Sequence, residues 1–178
     1  LVRLDSLIAR YANLIEFALL EHYGGTWIDS TVYLTDPIPD MILNSDFFAV
    51  RNSLLLIDNP VLYPAWFLHA KKGNKTIREI RNVAFAYWLK NKHVIEYLLP
   101  NLIITLVVKS NPEFGQEIPY MNSDYSEYLV KALADEYSEE KWNWIKKLTG
   151  IHELTYKLDA AVNRKDSFYQ HIIAEKNK

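Results

Sequence analysis

The sequence predicts an α/β fold in which a small sheet near the front of the chain precedes a mostly helical second half. Apolar residues recur at three- and four-residue steps over residues 4–19, which indicates an amphipathic helix. Residues 26–34 alternate and are rich in β-branched and aromatic types, which indicates a strand. After Gly73 the apolar residues return to a helical period. With 178 residues the chain is long enough for a real core, and we predict a single domain over residues 1–178.

The first predicted elements follow one another closely. The opening helix should cover residues 5–23, and Gly24 stands where a left-handed residue commonly ends a helix. The strand over residues 26–34 should end in a turn at residues 35–40, because the two prolines there cannot sit in a central strand. Short apolar runs predict three further strands, at residues 47–50, 54–57 and 65–70.

Capping residues mark the helices of the second half. Asn74 should begin one helix, and Ser138 should begin another that runs through Leu148 and stops at Gly150. The remaining predicted helices cover residues 93–109, bent or broken at Pro100, residues 124–137, begun by a capping box of Asp124 and Glu127, and part of residues 158–178.

Composition and charge exclude several classes of protein. The net charge of -2 gives no reason to expect electrostatic capture of nucleic acid. The absence of cysteine removes disulfides, thiolate–zinc sites and cysteine nucleophiles, and it suits a cytoplasmic protein. The first residues do not read as a signal peptide. The longest apolar stretch, residues 97–108, is interrupted by Pro100 and Asn101 and is too short to span a bilayer.

Aromatic residues are the unusual feature of the composition, with 12 Tyr, 7 Phe and 5 Trp. Clustered Trp and Tyr side chains can form platforms on which sugars stack, although core and interface positions are their more common use. From composition alone we therefore expect most of these aromatic side chains to lie in the core.

Asp29 is the first candidate functional residue, because an unpaired carboxylate is costly to bury in a strand and should have a partner. Strand alternation would put Trp27, Asp29 and Thr31 on one face. A hard cation such as Mg²⁺ or Mn²⁺ prefers oxygen ligands, and a carboxylate with substrate phosphates is a common arrangement. The alternative is an aspartate that accepts backbone N–H groups in a turn.

Four blocks of the sequence carry a family pattern. Residues 18–32 read ALLEHYGGTWIDSTV and residues 65–74 read AWFLHAKKGN. Residues 87–97 contain YW followed by IEY, and residues 150–157 read GIHELTYK. In this order the blocks resemble the capsular polysaccharide synthesis glycosyltransferases, a group of sugar transferases with a DXD motif. The resemblance covers about residues 12–158.

The resemblance implies a GT-A-type fold, a divalent metal, and transfer of a sugar from a nucleotide-sugar donor to a growing capsular or surface polysaccharide. It assigns Asp29 to the metal and the donor diphosphate, and it places Thr31 at the position of the second Asp of the motif. His152 matches the late histidine of the family pattern, which can complete a metal shell; a packed or capped histidine after Gly150 is the alternative.

The resemblance also implies a set of donor-binding residues, with two departures from the family pattern. On the helix before the glycines, Asn13 replaces an Asp and Glu16 replaces an Arg, which reverses a charge. Glu96 stands where the family tends to have Asp and is a candidate catalytic base, with an ordinary helix-surface Glu as the alternative. The residues implied around the donor are Asn13, Glu16, Gly24, Gly25, Trp27 and Trp66.

Two alternatives to a complete transferase remain open. The chain begins at the helix that follows the first strand–helix–strand unit of a GT-A domain, so we expect an incomplete domain. It is then either a piece of a metal-dependent glycosyltransferase, placed in the cytoplasm or at the inner face of the cytoplasmic membrane, or a non-catalytic remnant that binds a partner protein or a polysaccharide. A carboxylate hydrolase has little support, because the sequence places no second acidic residue near Asp29.

Overall fold

The computed structural model describes residues 2–53, 60–91, 96–158 and 160–176. The strand predicted at residues 54–57 lies outside them. The described residues form a mixed α/β fold with two small antiparallel sheets, which confirms the predicted fold class at this level. They divide into two compact units: unit 1 contains the chain up to Ile28 and Pro39–Met121, and unit 2 contains Asp29–Ile38 and the chain from Asn122 onward.

Unit 1 combines a three-stranded antiparallel sheet with helices. Its strands are β1 (Gly25–Ile28), β3 (Phe47–Ala49) and β4 (Phe67–Ala70), in the order β1-β4-β3, and its helices are α1 (Val2–Tyr23), α2 (Asp40–Leu43), α3 (Lys75–Lys90), α4 (Leu99–Ser110) and α5 (Pro112–Gln116). The core of unit 1 forms where alternate strand residues such as Ala49 and Leu68 pack with Phe17 of α1, Ile77 of α3 and Ile104 of α4.

The end of α1 depends on a glycine, as the sequence predicts. Gly24 has φ of +73° and donates its N–H to the carbonyl of Leu20 at 2.9 Å. A Cβ at this position would lie 2.6 Å from the backbone nitrogen of Lys72. Both the left-handed conformation and the close backbone approach therefore require glycine here.

Gly24→Ala is expected to lower the free energy of unfolding by about 2–4 kcal/mol, because it adds a backbone clash to the left-handed penalty of about 1–2 kcal/mol. Gly73→Ala is the matched control: Gly73 has φ of +71°, but its Cβ would meet nothing closer than a flexible Arg78 side-chain atom at 3.7 Å. Urea denaturation of both variants measures the difference. Equal losses of stability would contradict this account of Gly24.

Two other predictions for unit 1 concern where helices begin. The prediction of Asn74 as a cap is confirmed, since its Oδ1 accepts the N–H of Ile77 at 3.1 Å. The helix predicted over residues 93–109 is only partly right: its described part, α4, begins at Leu99, and Pro100 lies in its first turn instead of bending it. Proline suits this position because the first turn has no intrahelical acceptor for its missing N–H.

The continuous strand predicted over residues 26–34 is wrong. The backbone turns between β1 and β2 (Val32–Leu34), where the N–H of Val32 donates to the carbonyl of Asp29 at 3.0 Å. The two halves then pair with different strands, β1 with β4 and β2 with β5 (Ile151–Glu153). Asp29 is thus a turn residue, and strand alternation does not apply to it. The strand predicted at residues 65–70 is also shorter than expected, since β4 starts at Phe67.

Unit 2 places helices around the two-stranded sheet of β2 and β5. Its core brings together apolar residues of the helices and the 3₁₀ segment, among them Leu129, Trp142, Ile145 and Phe168. The further elements are α6 (Ser123–Ser126), α7 (Tyr128–Ala132), α8 (Glu139–Leu148), a 3₁₀ turn (Ala160–Asn163) and α9 (Phe168–Lys176).

Capping in unit 2 agrees with the sequence at one helix and differs at another. Ser138 caps α8 by accepting the N–H of Lys141, as predicted. The helix predicted over residues 124–137 is instead the two short helices α6 and α7. The capping side chain there is Asn122, which accepts the N–H of Asp124 at 2.9 Å, so the predicted capping box is wrong.

Within the described part of the chain, every helix is either too short or too polar to cross a lipid bilayer.

Candidate functional site

The pairing of β2 with β5 organises the candidate site, which lies within unit 2. Tyr33 stands opposite His152, and Val32 stands opposite Glu153. The ladder continues at one end through the N–H of Leu154, which donates to the carbonyl of Thr31 at 3.0 Å. Because neighbouring strand residues point to opposite faces, His152 and Glu153 project from opposite sides of this small sheet.

The other end of the ladder is closed at Gly150. The N–H of Thr35 donates to the carbonyl of Gly150 at 3.0 Å. A Cβ on Gly150 would lie 2.6 Å from the Cβ of Asp36, so this tight approach admits only glycine. The predicted helix stop is therefore also the point that fixes the register of β5 against β2.

His152 faces the interior of unit 2. Its side chain is fully buried, its Nε2 lies 3.1 Å from Oγ1 of Thr35, and its ring lies 6.3 Å from the rings of both Tyr33 and Trp142. Burial lowers the pKa of His152 to about 4, against the opposing effect of the Asp36 charge. The imidazole is therefore neutral at pH 7, and the stability it supports is lost as the pH falls through the interval from 6.5 to about 4.

Glu153 occupies the opposite face and is the most strongly perturbed carboxyl of the site. Burial raises its pKa to about 7, and the negative charges of Glu127 and then Asp29 add to this effect. Near neutral pH its protonated and ionised forms are therefore comparably populated. Asp29, Glu127 and Glu153 thus share one electrostatic environment, and we call these three residues the acidic cluster.

The other two members of the acidic cluster differ in how they are held. Glu127 accepts a hydrogen bond from Oγ of Ser123 at 2.8 Å and lies 4.0 Å from the ammonium of Lys131. Asp29 is exposed in the turn between β1 and β2. The cluster is therefore assembled from a turn, the segment between α6 and α7, and a strand edge.

Glu153 is a site residue that the sequence did not indicate, since the sequence alone places no second acid near Asp29. The two residues are far apart in the chain and meet only because β2 pairs with β5. One local signal was present, since Glu153 directly follows His152 within the GIHELTYK block.

The chemistry of the acidic cluster suits a hard divalent cation. Carboxylate oxygens are the ligands that Mg²⁺ and Mn²⁺ prefer, and a cation would offset the negative charges of Glu127 and Asp29, which add to the effect of burial on the pKa of Glu153. Among the described residues, however, no three His, Cys, Asp or Glu side chains lie close enough together to hold a metal ion by themselves. An ion here would need further ligands from a substrate or from water.

Thr31 and His152 are the remaining predicted metal ligands. Thr31 is half-buried beside Asp29, and its carbonyl is used by the ladder to β5. His152 is neutral at pH 7, as a ligand must be, but it lies on the face opposite Glu153. The metal roles of Thr31 and His152 stay predictions.

The predicted donor-binding residues all belong to unit 1. Glu16 is buried at 2% exposure, Trp66 is buried at 5%, and Trp27 packs against the core of unit 1. Asn13 is half-buried on α1, and Gly25 has φ of +105° with open space where a Cβ would be. Their roles toward a donor stay predictions, as does the role of Gly24 beyond ending α1.

Glu96, the predicted catalytic base, lies exposed before α4 in unit 1. Its carbonyl accepts the N–H of Leu99 at 3.1 Å, and its Oε1 lies 3.5 Å from the N–H of Leu98. These contacts give Glu96 a part in starting the helix, and its catalytic role stays a prediction.

The described residues thus form a mixed α/β protein whose second unit contains the acidic cluster. The model of the family described as capsular polysaccharide synthesis protein matches residues 6–172. The chain therefore belongs to this family, and the membership indicates a part in capsular polysaccharide synthesis. No curated protein matches the chain.

Proposed function

We propose that this protein transfers a sugar from a nucleotide-sugar donor to a growing capsular or surface polysaccharide and uses Mn²⁺ or Mg²⁺ to do so. The observation that supports the proposal is the pairing of β2 with β5, which brings Glu153 near Asp29 in unit 2. Burial raises the pKa of Glu153 to about 7, and the negative charges of Glu127 and Asp29 add to this effect. Membership of the capsular polysaccharide synthesis family supplies the context.

In the proposed mechanism Asp29 is the principal metal ligand. Its exposed position in the turn leaves it accessible to a soluble donor, and Glu153 supplies a second carboxylate. The donor diphosphate and water would complete the shell, which is the usual arrangement where proteins offer only one or two carboxylates. The bound ion would neutralise the charge that develops on the departing nucleoside diphosphate.

A GT-A-type arrangement is part of the proposal. It is supported by the order helix, double glycine, strand and acidic turn that α1, Gly24, Gly25, β1 and Asp29 form.

One observation favours the non-catalytic alternative. At the α1 position where the family resemblance implies an Arg for the donor, this chain has Glu16, and that carboxylate is buried. A buried acid cannot supply the positive charge that a diphosphate attracts. On this alternative the chain would retain the family fold and bind a polysaccharide or a partner protein without transferring sugar.

The test is the release of nucleoside diphosphate by the full chain from a panel of nucleotide sugars, with Mn²⁺ and with a chelator. We expect release from at least one donor that depends on Mn²⁺. Equal release with the chelator would contradict the metal role. No release from any donor, combined with retained Mn²⁺ binding, would decide for the non-catalytic alternative.

A further inference from the structure

Two packed aromatic side chains, one exposed and one half-buried, lie in unit 2. Trp144 of α8 is 46% exposed, whereas the other four tryptophans of the chain are buried or half-buried. Its ring packs against that of Tyr128 of α7, with centroids 4.6 Å apart and planes at 77°. We call Tyr128 and Trp144 the aromatic pair.

The aromatic pair is anchored to the core of unit 2 although Trp144 is exposed. Trp142 and Ile145, the neighbours of Trp144 on α8, are buried in the core of unit 2, and Tyr128 packs against the same core. An edge-to-face contact covers one face of one ring only, so the pair itself leaves other ring faces uncovered. A rigid and partly open aromatic surface loses little conformational entropy when a ligand stacks on it.

The charges around Trp144 indicate an uncharged, hydroxyl-rich ligand. Glu140 and Lys147 lie four residues before and three residues after Trp144, which puts all three on one side of α8, and both charged side chains are exposed. Together they offer a hydrogen-bond acceptor and a donor with no net charge. A pyranose ring suits both features of this surface, since its apolar C–H face can stack on an aromatic ring and its hydroxyls can hydrogen-bond with the two charged side chains.

The position of the aromatic pair links it to the proposed chemistry. Tyr128 directly follows Glu127, a member of the acidic cluster, so the two features are continuous along the chain. We propose that Tyr128 and Trp144 form a saccharide-binding subsite that holds pyranose units of the polysaccharide acceptor. The choice of the acceptor as the ligand rests on the proposed function.

Heteronuclear NMR tests the subsite through the indole N–H resonance that disappears in Trp144→Phe. Neutral tetrasaccharides of glucose, galactose and N-acetylglucosamine are titrated into the full chain up to about 50 mM, since a single stacked sugar binds weakly. We expect at least one of them to shift the Trp144 resonance. Trp144→Ala should weaken that tetrasaccharide's binding, followed on other resonances, about tenfold, and Trp144→Phe should weaken it less.

Tyr156→Ala is the matched control, because Tyr156 is an exposed aromatic residue of unit 2 outside the pair, and this variant should bind as the unmodified chain does. The absence of a shift with all three tetrasaccharides, or unchanged binding by Trp144→Ala, would overturn the subsite. The titration contains no metal and no nucleotide sugar. Its outcome is therefore independent of whether Asp29 binds a cation, and failure of one proposal is distinguishable from failure of the other.

Discussion

Replacing Asp29 by asparagine is expected to lower the rate of Mn²⁺-dependent nucleoside diphosphate release at least about 100-fold, because loss of even an outer-shell partner commonly costs 10- to 100-fold. Asparagine keeps the size of the side chain and its ability to accept hydrogen bonds, but it removes the negative charge that attracts the ion. Since Asp29 is exposed in a turn, the substitution should leave the fold intact. Steady-state assays at saturating Mn²⁺ measure the effect.

Glu136→Gln provides the control for the Asp29 variant. Glu136 is an exposed carboxylate of unit 2 outside the acidic cluster, and its loss changes the net charge by the same amount. This variant should keep the activity of the unmodified chain. Equal activity of the Asp29 and Glu136 variants would remove Asp29 from the mechanism.

Replacing Glu153 by glutamine is expected to stabilise the protein by about 1–2 kcal/mol near pH 8 and to change little near pH 5. The folded-state pKa of about 7 lies above the ordinary value of 4.5, so the folded protein holds this proton more tightly than the unfolded chain does. The stability from protonated Glu153 is therefore present below pH 4.5 and is lost as the pH rises through about 7. Glutamine resembles the protonated acid at every pH, so the Glu153→Gln variant keeps this stability as the pH rises.

Urea denaturation of the unmodified chain and of Glu153→Gln across this pH range measures the effect. His152 has the opposite pH dependence, because its folded-state pKa is lowered to about 4, but it is present in both proteins and cancels in their difference. A stability difference that does not grow between about pH 5 and pH 8 would show that Glu153 ionises normally in the folded state.

Local signals in the sequence were sufficient wherever a short-range interaction decides the structure. Gly24, Asn74 and Ser138 end or begin helices through contacts within a few residues, and all three predictions are confirmed. The prediction of one strand over residues 26–34 was wrong because long-range pairing decides the structure there. Its alternating pattern is real, but β1 and β2 pair with strands that lie far away in the sequence, and those partners impose the turn after Ile28.

The difference between local and long-range interactions also explains which residues of the candidate site were predicted. Asp29 was predicted because a local motif surrounds it, and it is a member of the acidic cluster. Glu127 was predicted only as part of a capping box, and Glu153 was not predicted at all. Glu153 comes near Asp29 through the pairing of β2 with β5 and near Glu127 through the packing of α6 and α7 on β5, which a single sequence does not specify.

The central claim is that the acidic cluster binds a divalent cation, and carbon NMR of the Glu153 carboxyl tests it most directly. The carboxyl resonance is titrated with acid and base, first without a divalent ion and then with Mg²⁺, which does not broaden the signal. The account predicts a pKa near 7 without the ion and a clearly lower pKa with it, because the cation favours the ionised carboxylate. A pKa near 4.5 under both conditions, or a raised pKa that Mg²⁺ does not change, would contradict it.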